Sequence, residues 1–429
     1  MAFNKDKYQE IIGDFTLDRD TLQETAAAFR RDMECGVQDP DTCTMRMLKS
    51  YVGLPDGNEQ GSYLALDFGG TNVRVLRIEL QGKGKFQVVK KVAKPLIVPG
   101  VYDFIGPDST AEQMFDFIAG LVDEAIEEDH ETKYLLGHTF SFPSQQTDLY
   151  NARLIIWTKE FATSGVEGEV VNDLLKAALV RQGIGNVEPA AIINDTVAVL
   201  LAAAYKQPDT RIGSIYATGH NTCYLESALP GGIAPMVINM ESGSFSKLLP
   251  NRFDNELDEA SEKPGEQRLE KMVSGRYMGE LFGLVLAELM ELSAKPAFTS
   301  IDMSAILEDE APEYRKTAEL LQQRTGTQLS AGDCAMVRGL AEAILVRSAR
   351  LVTATYAGII WHLAGAGKVA RQHIAIDGSV YEKMPLAKEN VLKALYDILG
   401  EDAAQVDTVL EGGGSGLGAA IAAAMSQKA

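Results

Sequence analysis

The sequence is poor in cysteine and has no paired histidines. Its four cysteines, Cys35, Cys43, Cys223 and Cys334, form no CxxC pair in 429 residues. This pattern excludes a dense disulfide scaffold and favours reduced thiols, although a bridge between Cys35 and Cys43 stays open. The histidines lack the spacing of a zinc site, so we expect no metal held by a ligand cluster.

Basic residues are also scarce. Lysine and arginine total 40 against 60 aspartate and glutamate residues, which gives a formal net charge of −20. Nucleic acids and anionic membranes are negative as well, so the chain is a poor candidate to bind either of them. A phosphate ligand on such a chain needs local donors and a metal ion.

Long apolar runs are missing. The first residues, MAFNKDK, lack the apolar segment of a signal peptide, and polar side chains interrupt the stretch Leu351 to Val369. We expect this stretch to be a buried helix and the protein to be cytoplasmic. The length of 429 residues suits two or three domains. Apolar residues make up 46% of the chain and charged residues 23%, which is typical of a soluble globular protein.

Strand and helix patterns alternate along the chain. Apolar periodicity predicts helices over 16–53, 111–128, 168–182, 195–205, 266–292, 303–307, 334–363, 384–399 and 419–425. Short apolar runs predict strands at 63–66, 73–80, 135–142, 190–194, 214–216, 223–225 and 373–376. This alternation indicates an α/β fold.

Two strand–turn–strand segments resemble each other. The first has its turn from Asp67 to Asn72, and the second has its turn from Ala217 to Asn221, at an offset of 150 residues. Each opens a β-then-α segment, which suggests two related halves, although so short a signal also fits chance.

The first turn combines backbone freedom with polar side chains, in the order Asp67, Gly69, Gly70, Thr71, Asn72 and Arg74. The glycines let backbone amides approach a phosphate, and the three side chains after them add donors. The aspartate is suited to the water shell of Mg²⁺. The following strand argues against dinucleotide and Walker loops, which open a helix, while an ordinary hairpin turn remains the alternative.

Asp195 follows a predicted buried strand and begins a predicted helix. A carboxylate at this place has a fixed position and suits a catalytic base, but it equally suits a helix cap. Other polar residues near turns, such as Lys159 and Glu270, are equally compatible with a solvated surface.

Taken in order, these segments resemble the hexokinase family. Two segments resemble the phosphate loops of the family, Leu66 to Arg74 and Thr218 to Glu226, and Ile193 to Val197 resembles its catalytic segment. The sugar-binding segments are Thr139 to Gln146 with Trp157 to Lys159, Asn239 to Glu241, Pro264 to Gln267 and Glu270 to Met272. The adenosine-side segments are 298–309 and 377–381, and the closing turn is Gly414 to Gly416. They cover most of the chain, whose length matches one hexokinase unit.

The resemblance implies an α/β fold of two actin-like (ribonuclease-H-like) domains flanking a cleft. The large domain would comprise 1–60 and 194–410, and the small domain 61–193 and 411–429.

The resemblance also implies roles for individual residues. Sugar hydroxyls would be held by Ser141, Thr158, Lys159, Asn194, Asp195, Asn221, Glu241, Gln267 and Glu270, with Asp195 as the base. The nucleotide would be held by Asp67, Gly69, Gly70, Thr71, Asn72, Arg74, Thr218, Gly219, Ser300, Ser304, Gly378 and Ser379.

The implied activity is ATP-dependent phosphorylation of a hexose, foremost glucose at its 6-hydroxyl, as in the first step of glycolysis. The implied ligands are ATP, Mg²⁺ and the sugar. A non-catalytic sugar-binding regulator and an actin-like or chaperone-like ATPase are the alternatives, and the oligomeric state stays open.

The sequence departs from the usual family pattern at six positions: Glu160, Ala198, Ala217, His220, Ser242 and Leu417. These positions adjoin the predicted sugar and phosphate residues, so we expect them to affect sugar preference and affinity more than the reaction itself.

Overall fold

The structure is a computed structural model that describes residues 3–127, 129–158 and 160–427. In these ranges the α-helices are α1 (Lys5–Asp14), α2 (Arg19–Gln38), α3 (Ala111–Ile126), α4 (Val171–Arg181), α5 (Asp195–Lys206), α6 (Arg252–Glu259), α7 (Arg268–Val273), α8 (Gly275–Met290), α9 (Ser300–Leu307), α10 (Arg315–Thr325), α11 (Ala331–Ala364), α12 (Ser379–Lys383), α13 (Ala387–Leu399) and α14 (Gly414–Met425).

The strands are β1 (Leu48–Lys49), β2 (Gln60–Phe68), β3 (Asn72–Gly82), β4 (Lys85–Pro95), β5 (Ile97–Val98), β6 (Tyr102–Asp103), β7 (Tyr134–Phe140), β8 (Ser144–Gln146), β9 (Ala152–Leu154), β10 (Val187–Ile193), β11 (Thr210–Tyr216), β12 (His220–Glu226), β13 (Met236–Asn239), β14 (Gln372–Asp377) and β15 (Val406–Leu410). Short 3₁₀ turns lie at Pro40–Thr42, Pro230–Gly232, Ser242–Ser244 and Gly400–Gln405.

Two sheets repeat one strand order. The five-stranded sheet runs β10-β7-β2-β3-β4. The six-stranded sheet runs β15-β14-β11-β12-β13-β1, with β1 as an additional edge strand. In each, a hairpin strand (β2 or β11) is flanked by its consecutive partners on one side and by two later strands on the other. The later strands pair in parallel, as β7 with β10 and β14 with β15. The α/β prediction is confirmed, and the two similar turns belong to equivalent hairpins.

The chain separates into two compact units. The first unit comprises Met1–Met47, Ile215–Thr222 and Met240–Leu410, and the second comprises Leu48–Ser214, Cys223–Asn239 and Glu411–Ala429. The domain borders inferred from the resemblance stay a prediction.

In the second unit, helix α14 packs directly against backbone. A Cβ atom at Gly137 of β7 would lie 1.8 Å from the carbonyl oxygen of Ala419, and one at Gly418 would lie 2.1 Å from that of Ala198. Only glycine allows such an approach. The C-terminal helix therefore fixes both β7, which leads to Ser141, and α5, which begins at Asp195.

In the first unit, the longest helix is α11. Among the described helices it alone is long and apolar enough to span a membrane, and 83% of its most apolar window is buried inside the protein. It contains most of the stretch predicted as a buried helix. Its Arg347 makes two hydrogen bonds of 2.7 Å to the carboxylate of Asp254, and both side chains are almost fully buried.

Several predicted elements end elsewhere. The predicted helix over 16–53 stops at Gln38, because Pro40 disfavours helical backbone in the residue before it. The predicted helix over 266–292 is two helices, since Ser274 is extended with φ −79° and ψ 155°. The predicted closing turn Gly414 to Gly416 lies within α14, which begins at Gly414, before the helix predicted at 419–425.

The buried ion pair generates a prediction for stability. Asp254→Asn leaves Arg347 charged and incompletely paired away from water, so we expect a loss of about 3–5 kcal/mol in the free energy of unfolding. The matched control is Asp397→Asn, which breaks the 2.8 Å contact with Arg350 at a more exposed carboxylate. It should cost about 0–1 kcal/mol. Equal losses in denaturant unfolding of the two variants would contradict the argument.

Candidate functional site

The first predicted phosphate loop is the tip of a hairpin. Strands β2 and β3 pair in antiparallel register, with Asp67 opposite Arg74. The Arg74 guanidinium donates to the Asp67 carboxylate at 3.1 Å. Thr71 and Asn72 are exposed between them. The loop therefore exposes hydrogen-bond donors to solvent, and the carboxylate of Asp67 stays close to the positively charged guanidinium of Arg74.

Asp67 is electrostatically unusual. Burial raises the pKa of its carboxyl group above 3.8, the Arg74 charge opposes that rise, and the Asp195 charge adds to it. Asp67 and Asp195 are thus close enough to repel each other within the second unit. A neighbouring positive group would relieve this repulsion.

Asp195 is the first residue of α5, and Asn194 is its N-cap. The Asn194 side-chain oxygen accepts the Thr196 N–H at 2.9 Å. The same N–H also donates to Asp195 Oδ1 at 2.7 Å. Since Asn194 fulfils the capping role, the helix start does not depend on Asp195 for its cap.

Ser141 lies against the first loop. A Cβ atom at Gly69 would be 2.9 Å from Ser141 Oγ, so glycine at position 69 gives the serine room. Gly70 has no neighbour this close. Thr158 is half-buried in the same unit. The predicted sugar residue Lys159 lies outside the described residues.

In the first unit, Glu270 contacts the second loop. Its Oε2 accepts the N–H of His220 at 3.0 Å. A Cβ atom at Gly219 would also lie 3.0 Å from Oε2. Burial raises the pKa of the Glu270 carboxyl group above 4.5, against the hydrogen bond from His220 and the charges of Arg276 and Lys271. Glu270 is therefore not the solvated surface residue that its sequence also allowed.

Four predicted sugar residues converge near Gly243. A Cβ atom there would lie 2.6 Å from Gln267 Oε1 and 3.1 Å from Glu270 Cβ. Asn221 donates to Glu241 Oε1 at 3.4 Å, and its own oxygen accepts the Ser242 N–H at 3.2 Å. The group combines amides with carboxylates and supplies both donors and acceptors.

Two of these residues have left-handed backbone. Glu241 has φ 52° and ψ 50°, and Gln267 has φ 52° and ψ 43°. This region is unfavourable for residues other than glycine, asparagine and aspartate, and it is found often at binding sites. Both side chains are thus positioned by a strained main chain.

Two of the predicted nucleotide residues lie close to the main chain that leads into the second loop. A Cβ atom at Gly275 would lie 2.9 Å from the Ala217 carbonyl oxygen and 3.4 Å from Ser300 Oγ. At Gly378, with φ 139°, a Cβ atom would meet the Tyr216 carbonyl oxygen at 2.3 Å. Further residues of this group are exposed or half-buried at nearby chain positions: Thr218, Ser304 and Ser379.

Sequence reasoning missed Gly243 and Gly275. Each is a single glycine between polar residues, without the repeated glycines of a recognisable loop, and only the folded backbone shows what surrounds it. It also missed Arg276, whose N–H donates to the Thr218 carbonyl oxygen at 3.1 Å and closes the second loop.

The six departures have different surroundings. Glu160 is exposed, whereas Ser242, Ala198 and Leu417 are buried. His220 is also buried, which lowers its pKa to about 4, and its Nδ1 lies 3.1 Å from the Ile215 carbonyl oxygen. Glu160 is therefore the departure that is open to solvent beside the sugar signature.

Known proteins are similar to this chain over most of its length. Two family models, both described as Hexokinase, match residues 7–205 and 211–425. Hexokinase-1 of Oryza sativa subsp. japonica is 38% identical, over 95% of this chain and 88% of that protein. A crystal structure of hexokinase has a TM-score of 0.88 and 33% identity, over 98% of this chain and 99% of that one. A hexokinase from Schistosoma mansoni complexed with glucose has a TM-score of 0.82 and 30% identity, over 98% of each chain.

The raised pKa of Glu270 generates a prediction for pH dependence. Because the folded pKa lies above the unfolded value of 4.5, ionisation destabilises the fold as the pH rises from 4.5 through the folded pKa. Glu270→Gln keeps an acceptor for the His220 N–H and removes the charge. We expect a higher melting temperature than the parent at pH 8, with a difference that vanishes towards pH 4.

The control for this experiment is Glu280→Gln on helix α8, where the carboxylate is partly exposed and 3.8 Å from Lys295. This variant should show no such pH-dependent gain. A Glu270→Gln protein that melts below the parent at pH 8 would contradict the electrostatic argument.

Proposed function

The chain belongs to the hexokinase family and is a sugar-phosphorylating enzyme, and on that premise we propose that it transfers the γ-phosphoryl group of ATP to the 6-hydroxyl of glucose. The observation that carries this proposal is the position of Asp195. It follows the buried strand β10, and Asn194 supplies the helix cap in its place. A carboxylate fixed in this way suits the base that accepts the hydroxyl proton.

Glucose is favoured by the chemistry of the group around Gly243. A hexose presents hydroxyls that donate and accept, and Asn221, Glu241, Gln267 and Glu270 provide both functions. As the resemblance implies, we also assign Ser141, Thr158, Lys159 and Asn194 to sugar hydroxyls. The related enzyme that is complexed with glucose supports this choice.

ATP is favoured by the two hairpin loops and by the residues around Gly275. Thr71, Arg74 and Thr218 would meet its phosphates, and Ser300 and Gly378 would lie beside its nucleoside. Phosphoryl transfer depends on positioning and charge neutralisation more than on covalent help from the protein.

Magnesium fits the second unit. The residues 3–127, 129–158 and 160–427 contain no cluster of three or more histidine, cysteine or acidic side chains arranged for a metal. Mg²⁺, however, is usually bound through one or two carboxylates, waters and substrate phosphates. Asp67 is a suitable carboxylate, since a nearby cation would relieve the repulsion between its charge and that of Asp195. The ion would supply charge neutralisation for the phosphates.

We also propose a cytoplasmic location and a role in the first step of glycolysis.

A coupled assay of ADP release tests the activity itself. Sugar-dependent release with glucose supports the proposal. No release with any hexose would favour a non-catalytic sugar-binding regulator, and release that is independent of sugar would favour a plain ATPase.

Asp195→Ala tests the assigned base. We expect kcat to fall by about 10²–10⁴-fold because proton acceptance is lost, while the melting temperature stays close to that of the parent. The control is Asp18→Ala, which removes a true N-cap that accepts the Thr21 N–H at 2.7 Å. That variant should melt earlier and keep its kcat. A variant Asp195→Ala that melts early but turns over normally would require a different base.

A further inference from the structure

We propose that Asp32 is a positioning residue for sugar binding, because it holds from helix α2 both the segment 44–47, which is hydrogen-bonded to Met240, and the segment 245–247, which follows Glu241. The inference rests on the proposed function, in which Glu241 binds a sugar hydroxyl. Asp32 itself is fully buried and lies outside the sugar, phosphate and adenosine-side segments.

The Asp32 carboxylate has three donors. Its Oδ2 accepts the Thr44 hydroxyl at 2.6 Å and the Thr44 N–H at 3.1 Å. Its Oδ1 lies 2.6 Å from Nζ of Lys247. A buried carboxylate is costly unless such partners surround it. These donors belong to the segments 44–47 and 245–247. Asp32 therefore fixes both segments relative to α2.

The segment 44–47 is connected to the residue before Glu241. Beyond Thr44, the N–H groups of Arg46 and Met47 both donate to the carbonyl oxygen of Met240, at 3.1 and 3.2 Å. The segment 44–47 is therefore fastened to Asp32 at one end and to Met240 at the other.

The segment 245–247 follows Glu241 in the chain. The N–H of Ser246 donates to the Thr44 hydroxyl oxygen at 3.3 Å, and Lys247 pairs with Asp32. The Phe245 ring packs edge-on against Phe29 of α2, with centroids 4.9 Å apart. The Phe245 carbonyl oxygen also accepts the Leu269 N–H at 3.2 Å, which ties helix α7 and its Glu270 to the same support.

Glu241 needs this support because its own backbone is unfavourable. At φ 52° and ψ 50° a glutamate adopts the left-handed region only when its surroundings impose it. A change to an ordinary backbone conformation would redirect the carboxylate. If Asp32 releases the flanking segments, fewer molecules have the binding-competent turn, and the apparent affinity falls by that fraction.

A purely structural role for Asp32 predicts a different result, and Asp333 is the matched comparison. Asp333 is also buried in the first unit, and its carboxylate accepts a serine hydroxyl at 2.6 Å and the Phe3 N–H at 3.0 Å. It lies at the start of α11, and its partners Ser330 and Phe3 are not among the residues assigned to ligands. Both aspartates thus accept a hydroxyl and a backbone N–H while buried, but only Asp32 is linked, through Thr44 and Lys247, to the segments beside Glu241.

The experiment compares Asp32→Asn with Asp333→Asn in the full chain, with glucose and ATP as substrates. We expect Asp32→Asn to raise the KM for glucose about tenfold and to weaken glucose binding in calorimetry equally, a change of about 1.4 kcal/mol. The KM for ATP should stay within about twofold of the parent. Asp333→Asn should lower the melting temperature and leave both KM values unchanged.

Thr44→Val is a milder variant that keeps the proposal testable if Asp32→Asn does not fold. It removes only the hydroxyl that joins Asp32 to Ser246, and the KM for glucose should rise about threefold, in line with one lost hydrogen bond. In the double variant that combines Asp32→Asn with Thr44→Val, the two increases in the KM for glucose should not add, because both act through the same contacts.

Two results would overturn the inference: an unchanged glucose KM in both variants, or equal increases in the KM for glucose and for ATP. A parent protein that shows no glucose-dependent ADP release would instead refute the proposed function, so the two failures can be distinguished.

Discussion

The cost of burying a carboxylate is the constraint on which the rest of this structure depends. The chain has a net charge of −20, and some of its acidic side chains are buried away from water. Asp32 and Asp254 are buried beside lysine or arginine, and they hold loops and helices together. Asp67 and Glu270 are compensated less completely, so burial raises their pKa. Perturbed carboxylates of this kind mark binding sites, and both belong to the predicted set.

Glycine determines where these carboxylates can approach the main chain. Gly219 leaves room for Glu270 beside the second loop, and Gly69 leaves room for Ser141 beside the first. The sequence allowed both loops to be predicted, because glycine and polar residues between two apolar strands are a local pattern. It did not allow Gly243 or Gly275 to be predicted, because their neighbours come from distant parts of the chain.

The sequence predicted the type of each element better than its ends. The apolar periodicity of α3 and α11 was sufficient to identify both helices, but the break at Ser274 left no mark in the apolar pattern of α7 and α8. The alternatives left open at Glu270 and Asp195 depended on burial and on the identity of the cap. These properties arise from tertiary packing, which a single sequence does not show.

Strain and support are coupled in the first unit. The left-handed backbone of Glu241 and Gln267 is less stable than an extended or helical one, so each must be balanced by contacts outside its own turn. For Glu241 the contacts run through Met240 and Ser246 to one buried carboxylate, Asp32. A charge is well suited to this purpose, since a buried carboxylate cannot release its donors without a large penalty, whereas a neutral hydrogen bond can. On the proposed function, the turn that holds Glu241 therefore depends on the stability of helix α2.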